Sequence, residues 1–319
     1  MLKSKHLIGL EHFPVSDLNK IIDTSFKFKD ILQTESRKAI LLKGKTIVNM
    51  FFENSTRTKI SFSLAEKRLG ADSINFSAST SSVKKGETLK DTVQNIESMK
   101  IDGAVIRHGH PGSALKLTEY IDGAVINAGD GSHEHPTQAI LDMVTLKEKF
   151  GKIKGLKVGI VGDILNSRVA RSNIFALKKL GAKVVVCGPS TLLPSDAKKL
   201  GINITYNLDE VLNWCDAVIA LRIQLERMHL GRIPSKREYH HEFGLTFEKI
   251  SKLKKDIVIM HPGPMNRGVE IDSKVADSDN AVILDQVLNG VASRMSILYL
   301  LLGEGDIKLW FQEKVQKNF

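Results

Sequence analysis

Thr46-Ile47-Val48-Asn49-Met50-Phe51-Phe52-Glu53-Asn54-Ser55-Thr56-Arg57-Thr58 is the stretch on which the reading of this chain turns. Its first seven residues form a short apolar run, and such a run predicts a buried strand. Thr58 to Leu69 then reads as a helix, with Gly70 as its C-cap residue. A buried strand that feeds a helix implies a parallel sheet. The pattern continues on both sides. An earlier helix is expected to start near Ser16 as N-cap, with Leu18, Ile21, Ile22 and Phe26 on one face. Gly103–Ile106 and Gly123–Asn127 read as strands. After Gly155 the alternation restarts, with strands at Lys157–Val161, Lys183–Cys187, Asp216–Leu221 and Asp256–Met260 and a helix at Arg168–Leu180. The prediction is α/β: two doubly wound parallel-sheet domains, with a hinge near Gly131 to Pro136. A last helix, Leu284 to Leu301, carries Val287, Leu288, Val291, Met295 and Leu298 at helical spacing and could pack on either domain.

Composition narrows the classes. A chain of 319 residues suits two domains. Hydrophobic residues at 42% and charged residues at 26% match a soluble globular enzyme. No run is long and apolar enough for a membrane span, and Met1 to Leu10 lacks an apolar signal-peptide core. Cys187 and Cys215 lie in apolar runs without a C-x-x-C spacing. They read as buried free thiols in a reducing cytoplasm rather than as metal ligands. The net charge of +10 reads first as a solvated surface and second as a field that draws in small anions. Aromatics are only 6% and no basic stripe interleaves with them, so nucleic acid is not an expected partner.

The chemistry-bearing motifs follow strands. Glu53 to Thr58 stands where a strand ends and a helix begins, a position whose free N–H groups and dipole suit an anion. Ser55, Thr56 and Thr58 add hydroxyls, and Arg57 offers a planar fork to phosphate oxygens; an N-cap cluster is the bland alternative. Ser81 to Thr88 is a polar loop. Arg107-His108 closes a strand, where open α/β sheets bind ligands. Gly129-Asp130-Gly131-Ser132-His133-Glu134-His135-Pro136-Thr137-Gln138 breaks the chain before a helix that begins near Pro136. His135 thus stands at a second helix N-terminus, and His133 with His135 lacks the partners a zinc site needs. Gly162 to Arg168 occupies the position of a dinucleotide-binding turn, but the G-x-G-x-x-G fingerprint is missing, which argues against an NAD-dependent dehydrogenase. Arg222-Ile223-Gln224 and His261-Pro262-Gly263-Pro264 follow two further strands. Several cationic strand ends without a serine triad, paired carboxylates or a thiol nucleophile suit direct reaction between bound anions, with an oxyanion stabilised as it forms. The same cations would equally suit a non-catalytic anion-binding scaffold.

The order and spacing of S-T-R-T at Ser55, K-K-G-E-T at Lys84, R-H at Arg107, G-D-G-x-x-x-H-P-T-Q ending at Gln138, R-x-Q-x-E-R from Arg222 and H-P-G-P-x-N-R-G from His261 resemble the aspartate carbamoyltransferase catalytic chains. Ornithine-type enzymes, the runner-up, carry H-C-L-P and S-M-G motifs that this sequence lacks. Gly263 stands where some members have leucine. The resemblance implies an active site between the two domains. Residues 1–134 would be the carbamoyl phosphate domain, with the C-terminal helix, about 285–319, returning to it, and residues 135–284 the aspartate domain. It implies that Ser55, Thr56, Arg57 and Thr58 hold phosphate. Thr58, Arg107 and His135 would polarise the carbamoyl oxygen, and Gln138 would orient the carbamoyl nitrogen. The Pro262 and Gly263 carbonyls, with Pro264 in the same turn, would take the NH₂. Arg168, Arg222 and Gln224 would grip aspartate. Ser81 and Lys85 would reach a neighbour's site in a homotrimer. No metal or cofactor is implied, and a regulatory chain or a dihydroorotase is a possible partner.

Overall fold

The computed structural model describes residues 2–77, 87–195, 201–223 and 235–304. The chain divides into two compact units, residues 1–140 with 288–319, and residues 141–287. The first unit holds α1 (Val15–Gln33), β1 (Thr46–Phe51), α2 (Thr56–Leu69), β2 (Asp72–Ser77), α3 (Leu89–Glu97), β3 (Gly103–His108), α4 (Ser113–Leu117) and β4 (Ala124–Asp130). Helix α5 (Pro136–Phe150) runs from the first unit into the second. The second unit continues with β5 (Lys157–Val161), α6 (Arg168–Lys179), β6 (Lys183–Cys187), β7 (Asn203–Thr205), α7 (Leu208–Trp214), β8 (Ala217–Ala220), α8 (Lys236–Phe243), α9 (Phe247–Ser251), β9 (Val258–Met260) and α10 (Ser273–Ala276). Helix α11 (Ile283–Leu302) crosses back.

Both sheets are parallel. The first has the order β2-β1-β3-β4 and the second β7-β6-β5-β8-β9. In each, the unit's first strand is interior and the connections leave it in both directions, which is the doubly wound arrangement expected from the alternating pattern. Strands covered on both faces are mostly apolar; β8 is apolar and buried along its whole length, and β4 is buried throughout although it carries Asn127 and Asp130. Val48, Met50, Ala104, Ile106 and Val125 share one core with Val93, Ala114, Leu117 and Ile121 from the flanking helices and loops. Val161, Val218, Ala220 and Ile259 share another with Leu208, Val211, Leu212 and Val275.

Several boundaries differ from the sequence reading. Helix α1 begins at Val15 after Pro14, and Ser16 lies inside it. Helix α2 begins at Thr56, so Thr56 and Arg57 are in its first turn. Strands β2 and β7 were not anticipated: Asp72–Ser77 alternates polar and apolar residues on a sheet edge, and Asn203–Thr205 is three residues long. Among the described residues no helix is long and apolar enough to cross a membrane. Cys187 and Cys215 are buried free thiols, each pushed up to about 12 by burial.

The carboxyl-terminal part of α11 settles in the first unit. Tyr299 meets Phe28 edge-on at 5.7 Å, Ser296 donates to the Ile21 carbonyl at 2.8 Å, and the Arg294 guanidinium lies 5.0 Å from the Phe62 ring centre. Arg294 also donates to the Ser61 hydroxyl at 3.1 Å. Helix α2 is thereby braced on one side by α11.

On its other side, α2 is fixed by a buried polar pair. Asn49 interrupts apolar β1 and donates from Nδ2 to Glu66 Oε2 at 2.8 Å, and Ser73 of β2 donates to the same oxygen. Asn49 and Glu66 are both fully buried. Burial pushes the Glu66 carboxyl up to about 7, against the opposing pull of the Ser73 and Asn49 bonds and of Lys67. The sign follows. Near pH 4 the acid is protonated in both folded and unfolded chains. As pH rises, the unfolded chain ionises first, and the folded state bears a growing cost until the folded acid also ionises near 7. The full cost is on the order of 3 kcal/mol. Glu66→Gln keeps an acceptor for Asn49 and Ser73 and removes the ionisation. Its urea midpoint is expected to come closest to wild type near pH 4, to exceed it progressively as pH rises toward 7, and to hold a constant excess above that. A constant offset from pH 4 to pH 7 would contradict the assignment.

Candidate active site

In the first unit the topological switch point lies between β1 and β3, and the predicted residues gather there. Phe51 and Arg107 are register partners, and the Phe52 N–H donates to the Arg107 carbonyl at 2.9 Å. The two strands thus end side by side. Beyond β1 the chain turns through Glu53 and Asn54 to Ser55, the N-cap of α2. The Ser55 hydroxyl makes no cap bond to the helix. Thr56 and Arg57 are exposed in the first turn, whereas Thr58 is buried. Helix α2 has no acidic residue in that turn, so no carboxylate of the turn itself neutralises its positive dipole end. Arg107 is aimed by two contacts: Nε lies 3.5 Å from Glu53 Oε2, and Nη1 donates to the Ala128 carbonyl at 3.3 Å. These contacts bridge the ends of β1, β3 and β4.

His135 follows β4 after a four-residue loop and directly precedes α5. Its carbonyl accepts from the N–H groups of Gln138 and Ala139 at 3.0 and 3.3 Å, which puts it at the helix's entry. The ring is nearly buried, and Nδ1 lies 3.5 Å from the Thr137 hydroxyl. Gln138 is likewise buried. The loop between β4 and His135 is over-determined. Gly131 has φ +50, and a side chain there would collide with Pro111 at 2.4 Å. Asp130 accepts from Gly112 N–H at 2.7 Å, from Asn127 Nδ2 at 2.8 Å and from Glu134 N–H at 3.2 Å, and lies 3.1 Å from His133 Nδ1. Burial alone would raise its pKa, but the bonds from His133, Asn127 and Gly112 outweigh burial and hold it below the usual value. His108 is held the other way: burial, and then neighbouring His110, lower its pKa. Its Nδ1 accepts from His110 N–H at 3.0 Å and lies 2.9 Å from the Ser113 hydroxyl.

In the second unit the switch point lies between β5 and β8. The turn after β5 passes Gly162 at φ +130 and Asp163, which accepts from the Asn166 backbone and side chain at 3.0–3.1 Å. Ser167 then caps α6, accepting from Ala170 N–H at 3.1 Å, and Arg168 is the first helical residue, buried. Leu221 N–H donates to the Val161 carbonyl at 2.8 Å, which brings the strand end bearing half-buried Arg222 beside the end of β5. His261 to Pro264 follow β9, with Gly263 at φ +57 and a cis bond between Gly263 and Pro264. Ser81, Lys85 and Gln224 lie outside the described residues.

The sequence reading gives no role to Asp130 or Glu134, both nearly fully buried. Glu134 takes Leu10 N–H on both oxygens, at 3.0 and 2.8 Å, and Glu11 N–H at 3.2 Å. It pins an N-terminal segment that also pairs with β4 through Leu7. Position 9 favours glycine, because a methyl group there would sit 2.4 Å from Glu134 Oε1. The signal available in sequence was a carboxylate among glycines and histidines, which no local rule separates from a solvated loop residue.

Two family models match: the carbamoyl phosphate-binding domain of aspartate/ornithine carbamoyltransferases over residues 5–148, and their aspartate/ornithine-binding domain over residues 154–301. Among curated relatives, an aspartate carbamoyltransferase catalytic subunit of Christiangramia forsetii is 57% identical over 300 residues, 94% of this chain and 97% of the relative. One from Cytophaga hutchinsonii is 54% identical over 302 residues, 95% and 98%. Among solved structures, aspartate transcarbamoylase from Trypanosoma cruzi in complex with carbamoyl phosphate superposes with a TM-score of 0.88 at 29% identity, covering 95% of this chain and 97% of that one. Ornithine carbamoyltransferase from Pyrococcus furiosus gives 0.83 at 29% identity, covering 94% and 98%.

Glu134→Gln replaces one accepting oxygen by an NH₂ that faces backbone N–H groups. The loss is expected to be about 2 kcal/mol, the scale of a hydrogen bond to a charged group. It should appear as a lower urea midpoint, together with faster proteolysis within residues 7–11. An unchanged midpoint would mean that Glu134 does not anchor the segment.

Proposed function

The chain belongs to the aspartate/ornithine carbamoyltransferase family, and we propose that it transfers the carbamoyl group of carbamoyl phosphate to the amine of L-aspartate. The products are N-carbamoyl-L-aspartate and phosphate, a step of pyrimidine biosynthesis, and the enzyme works in the cytoplasm. The observation that supports this reading most is the gathering of Ser55–Thr58, Arg107 and His135 beyond three neighbouring strand ends of one sheet.

Ser55, Thr56, Arg57 and Thr58 bind the phosphate through hydroxyls, the guanidinium and the N-terminus of α2. Arg107, His135 and Thr58 polarise the carbamoyl oxygen, and Gln138 orients the carbamoyl nitrogen. The carbonyls of Pro262 and Gly263, in the turn closed by Pro264, accept from the NH₂. Arg168, Arg222 and Gln224 grip the carboxylates of aspartate. The amine attacks the carbamoyl carbon, an oxyanion develops where Arg107 and His135 stabilise it, and phosphate departs with the amine's proton. No covalent enzyme intermediate, metal or cofactor is needed. Lacking H-C-L-P and S-M-G motifs, the chain favours aspartate over ornithine. An assay of carbamoyl transfer with each amine tests this: aspartate should be consumed and ornithine not. Binding of carbamoyl phosphate without turnover of either amine would leave a non-catalytic scaffold.

Ser81 and Lys85 complete the site of a neighbouring chain, so the working unit is a homotrimer. Arg57→Ala alone should lose a charge-assisted contact of about 1.5–3 kcal/mol, or two such contacts, and Lys85→Ala alone should also be impaired. Chains carrying each lesion, dissociated and reassociated together, are expected to regain activity, because some hybrid sites then carry neither change. A verified mixed trimer without recovery would mean that each site is built within one chain.

A further inference from the structure

Behind the turn that follows β9 lies a chain of buried polar groups which the proposed reaction does not use. His261 is buried. Its Nδ1 accepts from the Gly263 N–H at 2.7 Å, so that nitrogen carries a lone pair and the ring proton is on Nε2. Nε2–H then donates to Glu270 Oε1 at 3.1 Å. The same oxygen accepts from the Asn266 N–H at 2.6 Å, and Asn266 Nδ2 donates to the carbonyl of Ile223, the residue after Arg222, at 3.0 Å. The His261 N–H donates to Gln286 Oε1 at 3.0 Å, Gln286 donates to Asp142 at 2.7 Å, and Asp142 accepts from Asn173 at 2.8 Å. All these side chains except Asn266 are nearly fully buried. Polar groups in such a place cost free energy relative to an apolar filling unless paired; apart from Glu270 Oε2 and Asn173 Oδ1, the bonds above pair them, and paired groups fix one geometry.

The geometry they fix is that of one peptide plane. In a trans peptide the C=O and N–H point in opposite directions. The cis bond of this turn is the next one, between Gly263 and Pro264. Drawing the Gly263 N–H onto His261 therefore aims the Pro262 carbonyl the opposite way. We propose that His261 and Glu270 are positioning residues for the carbamoyl NH₂: Glu270 holds the ring, the ring holds the Gly263 N–H, and the pinned plane presents the Pro262 carbonyl as acceptor. Through Asn266 the same carboxylate ties this turn to the strand end that bears Arg222. The inference rests on the proposed reading, in which that carbonyl meets carbamoyl phosphate.

Acetyl phosphate, which has a methyl group in place of the NH₂, is the probe, because a merely loosened core would weaken both ligands alike. His261→Asn keeps an acceptor near the position of Nδ1; His261→Gln keeps a donor near that of Nε2 and loses that acceptor. Wild type should bind carbamoyl phosphate more tightly than acetyl phosphate in competition assays. His261→Gln is expected to reduce that preference about tenfold, the scale of one well-made hydrogen bond, with inhibition by inorganic phosphate unchanged. His261→Asn should stay within about threefold of wild type. Glu270→Gln, which retains one oxygen for both N–H donors, should behave like His261→Asn, and Glu270→Ala like His261→Gln. If Glu270→Ala does not fold, the two His261 variants still decide. An unchanged preference in His261→Gln, or an equal loss in both His261 variants, overturns the positioning role while wild-type turnover stands. Absence of carbamoyl transfer by the wild type instead overturns the reading beneath it.

Discussion

The first turn of α2 holds no acidic residue and its N-cap Ser55 makes no side-chain bond to the helix, and this helix start lies where β1 and β3 end together. That arrangement follows from the parallel sheet. A first strand paired on both sides in parallel sends its connections left and right, and the loops beyond its carboxyl end are forced apart. The same constraint operates in the second unit, where β5 and β8 end beside each other and lead to Arg168 and Arg222. Each unit therefore collects cations at one edge of its sheet without any single motif having to do so alone.

Cations at a strand end must also be aimed, and the first unit does this with carboxylates set behind them. Glu53 lies against Arg107, Asp130 gathers N–H donors from three segments, and Glu134 pins the N-terminal segment against the loop that leads to His135. Asp130 and Glu134 are satisfied largely by backbone or amide donors, whereas Glu53 faces Arg107 itself. The guanidinium of exposed Arg57 can thus face an incoming anion while the loops around it stay in one shape.

Sequence made the front of this arrangement legible and left its back unread. Strand β5 and strand β6 coincide with the predicted ranges because each is a continuous apolar run. The cationic strand ends could be placed because each follows such a run directly. Strand β2 escaped because it is a six-residue edge strand with only two apolar residues, Ile74 and Phe76, neither fully buried, and β7 because three residues carry no period. Ser16 is a good N-cap by residue type, but Pro14 already sets the extended residue before the helix. Asp130, Glu134 and Glu270 were not separable from solvated acids, because their partners are backbone N–H groups and ring nitrogens brought in by the fold.

Asn49 and Glu66 carry the same point further. An amide in the middle of an apolar strand and an acid beside Lys67 and Arg68 in the last turn of a helix each look like exceptions when read singly. Together they form a pair, with Ser73 of the edge strand as third member, that locks α2 to both β1 and β2. Register between a helix and a sheet is poorly specified by apolar contacts alone, since ridges and grooves repeat. A buried hydrogen-bonded pair has one satisfactory alignment, because a slip by one turn would leave both partners unpaired. The helix so aligned is the one whose first turn holds Thr56, Arg57 and Thr58. The cost of burying an ionisable group in the core thus falls on the element that positions the residues proposed to bind phosphate.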